Sequence, residues 1–110
     1  LDIGEMREAS NCLKGKHDFS AFKAEGTPVT SAVRTIFDIG IIQTGQIIEL
    51  VFLGDGFLYN MVRIITGTLL EVGLKKYPPG GVSEILASGD RTGAGPTAPP
   101  QGLCLVKVYY

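Results

Sequence analysis

The sequence is short of the residues on which metal binding and unaided nucleophilic catalysis depend. It holds one histidine, His17, and two cysteines, Cys12 and Cys104, in 110 residues. The cysteines lie far apart and join no C-x-x-C or Cys/His cluster, so no metal site is expected. No signal-peptide pattern opens the chain, and the two thiols are expected to be buried or half-buried in a reducing cytoplasm rather than paired. His17 stands beside Asp18, but neighbours on an extended chain point to opposite faces, and no G-x-S-x-G elbow accompanies them. A structural or surface role is therefore expected for His17. Gly54-Asp55-Gly56 and Gly93-Ala94-Gly95 fail to complete G-x-G-x-x-G, and no G-x-x-x-x-G-K-[ST] occurs, which excludes dinucleotide and P-loop readings.

An excess of charge of one sign is also missing. Ten basic residues against eleven acidic ones leave a net charge of −1. That excludes a histone-like electrostatic binder but neither shows nor rules out an RNA partner. The most apolar stretch, residues 56–74, contains Asn60, Arg63 and Glu71 and reads as a core helix rather than a membrane anchor. What is present is a chain 45% hydrophobic and 19% charged, which fits one globular domain. The chain opens on Leu1, and residues 3–13 read as the middle of something already under way, so a piece of a longer protein is expected.

Periodicity organises the rest. Ile3, Met6, Ala9, Cys12 and Leu13 recur at helical spacing and predict a short amphipathic helix ending near Gly15, with Lys14 and Lys16 at its C-terminal end. Residues 18–22 predict a short extended piece, followed by a loop through Glu25-Gly26-Thr27-Pro28. Residues 31–42 are rich in β-branched side chains, with Val33, Thr35, Phe37, Ile39 and Ile41 on one face. Gln43-Thr44-Gly45-Gln46 turns the chain into a second strand over 47–53, a hairpin whose second member is apolar at consecutive positions and is expected to be covered on both faces. Asp55 is the expected N-cap of the central helix, whose stripe runs through Leu58, Met61, Val62, Ile65, Leu69 and Val72 to Gly73. Pro78-Pro79-Gly80-Gly81 reads as a hard stop, and Val82, Ile85 and Leu86 as a brief second helix with Ser83 and Glu84 in its first turn. An irregular segment over 89–102 precedes a last strand over 103–109. The expected class is α+β, with helices packed on one face of a mostly antiparallel sheet.

Arg63 is the outstanding residue, a charge between Val62 and Ile64 in the most apolar helix. Two readings stay open. Its stem can run along the helix flank to bring the charge to solvent, or the guanidinium can project into a cleft and pair with a carboxylate. Asp55 and Glu71 are each eight residues away and are not adjacent-turn partners, so a paired carboxylate would come from elsewhere.

Gly54-Asp55-Gly56-Phe57-Leu58-Tyr59-Asn60-Met61-Val62-Arg63, followed by Gly67-Thr68-Leu69-Leu70-Glu71-Val72-Gly73, resembles the helix motif of the tRNA pseudouridine synthase A family. Three further blocks occur in that family's order: His17-Asp18-Phe19 with Phe22; Val33-Arg34-Thr35-Ile36; and Asp90-Arg91 through Ala94, Thr97, Ala98, Pro99 and Gly102-Leu103. The match runs over nearly the whole chain. It implies the C-terminal half of the pseudouridine synthase fold, with residues 1–110 as the C-terminal domain of an enzyme that isomerises uridine to pseudouridine in the tRNA anticodon stem-loop, at positions thirty-eight to forty. It also implies a homodimer in the cytoplasm that uses no metal or organic cofactor, with tRNA and its own N-terminal half as partners.

In that family the essential carboxylate is an aspartate in a G-R-T-D-x-G-V-H block of the N-terminal half. The block is absent here, and Asp18, Asp38, Asp55 and Asp90 stand in the wrong contexts to replace it, so the chain alone is expected to be inactive. The tyrosine that stacks near the base lies in that half too, and Tyr59 does not match it. The resemblance gives Arg63 the role of the arginine that pairs with the catalytic aspartate, and Leu103 that of the leucine packing on the target base. Arg34, Arg91, Lys14 and Lys16 are candidate RNA contacts, for which a solvated surface is an equally good reading. A function of another class fits the same residues: a non-catalytic RNA- or protein-binding α+β module that kept the scaffold.

Overall fold

The β-branched run and the apolar run that follows it form the two longest strands of the molecule, β2 (Val33–Thr44) and β3 (Ile47–Gly54), joined by a tight turn with Gly45 at φ +61°. In this computed structural model, residues 2–24, 31–45, 47–58 and 60–95 are described in full and residues 104–109 by their backbone. A short strand β1 (Gly15–Asp18) pairs antiparallel with the start of β2, and β4 (Cys104–Tyr109) pairs parallel with β3. The sheet order is β1-β2-β3-β4, three antiparallel strands and one parallel newcomer from the far end of the chain. The helices are α1 (Ile3–Asn11), α2 (Met61–Gly73) and α3 (Pro79–Ser88), with 3₁₀ turns at Ser20–Phe22 and Arg91–Gly93. The architecture is α+β and mostly antiparallel.

One side of the sheet carries the core. Ile36, Ile39 and Ile41 of β2 and Ile48, Leu50 and Phe52 of β3 pack with Met61, Ile64, Ile65, Leu69 and Val72 of α2 and Met6 and Ala9 of α1. The opposite side is apolar yet exposed, with Ile42 at 50%, Ile47 at 55% and Leu53 at 40%. Among the described residues no helix is long and apolar enough to cross a membrane.

Several local expectations need correction. The register of β2 slips between Ile36 and Asp38, so a bulge at Phe37 breaks the two-residue alternation. Ile36, Ile39 and Ile41 all reach the core, while Val33 and Phe37 are left 38% and 57% exposed. Strand β3 is interior to the sheet laterally but not covered on both faces, since its burial alternates along the strand. The first helix stops at Asn11 with no basic residue in its last turn, and residues 15–18 are a strand rather than the approach to an extended piece at 18–22. Pro79 opens α3 instead of stopping the chain, because a first-turn proline lacks only an N–H that the helix leaves unused. Ser83 and Glu84 therefore lie beyond the first turn.

Candidate functional site

Helix α2 positions the candidate site. Ten of its thirteen residues are buried, and the three that are not, Arg63, Leu70 and Glu71, are seven and eight residues apart. That spacing puts them on one narrow stripe, so the guanidinium of half-buried Arg63 rises from the only partly open flank of the helix. The helix begins at Met61, after Asn60 in a left-handed conformation at φ +58°, which asparagine tolerates better than most residues.

Asp55 is not the N-cap of α2; it lies six residues before Met61 and ties the loop to the sheet instead. Its Oδ1 accepts from the Thr35 N–H at 2.9 Å, and its own N–H donates to the Thr35 carbonyl at 3.1 Å. Gly54 is required beside this bracket, because a Cβ there would meet the Thr35 oxygen at 2.8 Å and the Phe57 ring at 3.0 Å. The bulge in β2 and the two bonds at Thr35 thus aim the chain from β3 toward α2. Asp55→Ala is expected to destabilise the full-length protein by about 1 kcal/mol, and Asp55→Asn by less because its amide oxygen still accepts. Urea denaturation checks both, and equal losses would show that the Thr35 bond contributes nothing.

The other end of the site is the turn after α3. Asp90 accepts from the Thr92 hydroxyl at 2.7 Å and the Thr92 N–H at 3.0 Å, which holds its carboxyl below the usual carboxylate range. Arg91 Nη1 donates to the Gly95 carbonyl at 3.0 Å, and Gly95 N–H donates to Thr68 Oγ1 at 2.8 Å. The turn ending at Gly95 is thereby seated on α2.

The candidate RNA contacts are spread over the molecule. Arg34 donates to the carbonyls of Ser31 at 2.9 Å and Val33 at 2.7 Å, and its stem passes Gly56. Lys14, between α1 and β1, pairs with Asp38 of β2 at 3.1 Å, Lys16 is exposed on β1, and Arg91 is half-buried in the turn just described. Arg34 thus shares the Gly56 loop with the approach to α2, and Arg91 holds the Gly95 carbonyl where Gly95 meets α2; Lys14 lies apart, against Asp38 of β2. Leu103 and Tyr59 lie outside the described residues.

Cys12, His17 and Asp18 line one open hollow with Ser83, and their bonding argues against nucleophilic chemistry there. The thiol donates to the Ala9 carbonyl at 3.1 Å, and burial pushes its pKa up. His17 Nε2 donates to the Lys14 carbonyl at 2.8 Å, with the ring edge-on to Phe19. Asp18 accepts from the Ser20 hydroxyl and N–H, which lowers its pKa. Among the described residues no group of three or more His, Cys, Asp or Glu is placed to hold a metal ion.

Sequence reasoning missed the contact partners Thr35, Thr68 and Gly95, although two of them stand inside quoted blocks. Those blocks, scattered along the chain, meet in space. His17 and Asp18 pair with Arg34 and Val33 across β1 and β2, Thr35 bonds Asp55, and Thr68 bonds Gly95. The model of a family described as tRNA pseudouridine synthase matches residues 9–110. Over all 110 residues the chain is 54% identical to the tRNA pseudouridine synthase A of Syntrophomonas wolfei subsp. wolfei, of which it covers 44%. It is 54% identical to that of Thermoanaerobacter sp. (strain X514) and 52% identical to tRNA pseudouridine synthase A 2 of Clostridium perfringens, covering all of itself and 45% of each. It spans less than half the length of these curated relatives. With distant stretches brought into contact, His17 and Asp18 with Val33 and Arg34, Thr35 with Asp55 and Thr68 with Gly95, and the match running nearly end to end, the chain belongs to the tRNA pseudouridine synthase family.

Proposed function

We propose that this chain is the C-terminal domain of a cytoplasmic enzyme that converts uridine to pseudouridine in the tRNA anticodon stem-loop, at positions thirty-eight to forty. The reaction is an isomerisation: the N-glycosidic bond of a flipped-out uridine breaks, the uracil turns, and a carbon–carbon bond replaces it, with no co-reactant consumed. Arg63 holds the catalytic aspartate of the N-terminal half ionised and oriented. Leu103 packs on the target base, and Arg34, Arg91, Lys14 and Lys16 are available to phosphates.

The observation that carries this reading is the meeting of the motif blocks in space, His17 and Asp18 with Val33 and Arg34, Thr35 with Asp55 and Thr68 with Gly95, with Arg63 on the partly open stripe of α2. The near-neutral charge of −1 agrees with a tRNA cleft assembled jointly with the N-terminal half and, in a homodimer, a second subunit. The exposed apolar residues Ile42, Ile47 and Leu53 favour coverage by such a neighbour.

The test is to incubate the full-length protein with an unmodified tRNA transcript and map pseudouridine by mass spectrometry. Pseudouridine in the anticodon stem-loop is the expected product, and none is expected from residues 1–110 alone. Binding of tRNA by the full-length protein without any pseudouridine would favour the non-catalytic module and overturn the proposal.

A further inference from the structure

Two threonines in α2, Thr66 and Thr68, are completely buried, and each hydroxyl donates to the carbonyl four residues back, at 2.8 Å to Val62 and 2.9 Å to Ile64. Among the described residues only Thr68 does more, accepting the Gly95 N–H at 2.8 Å. A single hydroxyl therefore serves the helix backbone and the loop at once, and neither bond can be replaced by water at a site with no exposure. Gly95 sits so close that a Cβ would lie 2.9 Å from Thr68 Cα, 3.0 Å from Thr68 N and 3.2 Å from the Gly67 carbonyl carbon. The approach is backbone against backbone, with no flexible side chain to yield. From the other side Arg91 Nη1 holds the Gly95 carbonyl at 3.0 Å.

The place of this contact matters. Gly67 is one helical turn beyond Arg63 on the same flank, about 6 Å along the axis. It lies on the stripe between Arg63 and the Leu70–Glu71 pair, and it is buried where its neighbours on that stripe are half-open. The loop lands there, and nine residues after Gly95 the chain enters β4 beside β3.

We propose that Thr68 and Gly95, with Arg91 behind them, form a positioning latch that fixes the turn ending at Gly95 against the helix carrying Arg63. Neither residue touches the reacting atoms. The latch sets where the chain leaves α2 at Gly95 on its way to Leu103, so this inference rests on the functional reading of Arg63 and Leu103 given above. A displacement of about 1 Å between such groups costs on the order of 100-fold in turnover when geometry governs the chemical step.

The experiment uses the full-length enzyme and an unmodified tRNA transcript, at a temperature where melting curves show every variant folded. Thr68→Val removes the acceptor for Gly95 N–H while keeping the shape, and is expected to lower kcat about 100-fold with KM for tRNA changed by no more than a small factor. Thr68→Ser restores both hydroxyl bonds and is expected to recover most of kcat. Gly95→Ala, which forces the loop off the helix, is expected to match Thr68→Val, and it decides the matter by the same criteria if the valine variant does not fold. Wild-type kcat in the variants that fold, a loss confined to KM, or a loss that serine fails to rescue would each overturn the latch. Arg63→Ala run in parallel separates the two levels. If it loses turnover and the latch variants do not, only the latch fails; if it keeps turnover, the functional reading fails and the latch with it.

Discussion

Arg63→Ala in the full-length enzyme is expected to lower kcat by about 100-fold or more, the cost typical of removing a preorganised charged group from a water-poor site. Affinity for tRNA should change far less, because the role proposed for Arg63 is toward a protein carboxylate rather than a phosphate. Arg63 lies between buried Val62 and Ile64 on the one stripe of α2 left partly open, so its side chain can leave the helix only along that stripe. A planar fork held this way binds a carboxylate through two parallel bonds and favours its ionised form. In the proposed pairing the cation favours the ionised aspartate, so its loss is expected to raise that carboxyl's pKa. The acid limb of the kcat–pH profile should then move to higher pH in Arg63→Ala, with activity disappearing sooner as the solution is acidified. Arg63→Lys keeps the charge but loses the fork, and should restore the pH profile more fully than the rate. Steady-state kinetics across pH and a tRNA-binding titration check these points together. Equal losses in kcat and tRNA affinity would assign Arg63 to substrate binding instead.

Arg63 could be singled out from sequence because a charge inside an apolar run violates the pattern around it. The surroundings that give it meaning were much less legible. Strand β1 is Gly-Lys-His-Asp, with no apolar alternation; only its pairing with residues 33–36 of β2 makes it a strand. The alternation through Val33, Thr35, Phe37, Ile39 and Ile41 was real, but one extra residue at the bulge moved its first half to the other face, and periodicity cannot register an insertion whose cause is a neighbouring strand. Asp55 carried the chemistry of a cap and spent it on Thr35, twenty residues earlier in the chain. Thr68 and Gly95 are separated by twenty-seven residues, and Gly95 has no side chain to betray a contact. Helix α2 and the second strand of the hairpin were readable because burial there follows a pattern that local sequence carries, and the closing strand because its sequence is rich in alternating β-formers. The joints between them depend on long-range backbone geometry and were not.

The largest stability effect is expected at Phe52, where core and site share a residue. Phe52 is fully buried in β3, flanked in the sheet by Ile39 of β2 and Val108 of β4, with its ring edge-on to Phe57 at 6.4 Å between centroids and 86° between planes. Phe57 in turn packs at Gly54, beside the Thr35–Asp55 bracket that leads into α2. Truncating Phe52 to alanine removes the buried ring and leaves a cavity beneath that loop, at a cost of about 3–5 kcal/mol. Since a domain holds only about 5–15 kcal/mol in total, the denaturation midpoint of this half of the full-length protein should fall steeply. Phe52→Leu refills much of the volume and should lose about half as much or less, the remainder reflecting the missing edge-on ring contact. The two variants separate the roles of the residue. If Phe52 only fills the core, turnover per folded molecule is unchanged in Phe52→Leu. If the Phe52–Phe57 contact also aims the chain into α2, Phe52→Leu loses turnover while remaining folded, and Arg63→Ala added to it costs less than it does alone, because the arginine is already misplaced. The strong coupling of sheet, loop and helix through Gly54 and Thr35 favours the second outcome, since a backbone with no room for a Cβ passes a shift on rather than absorbing it.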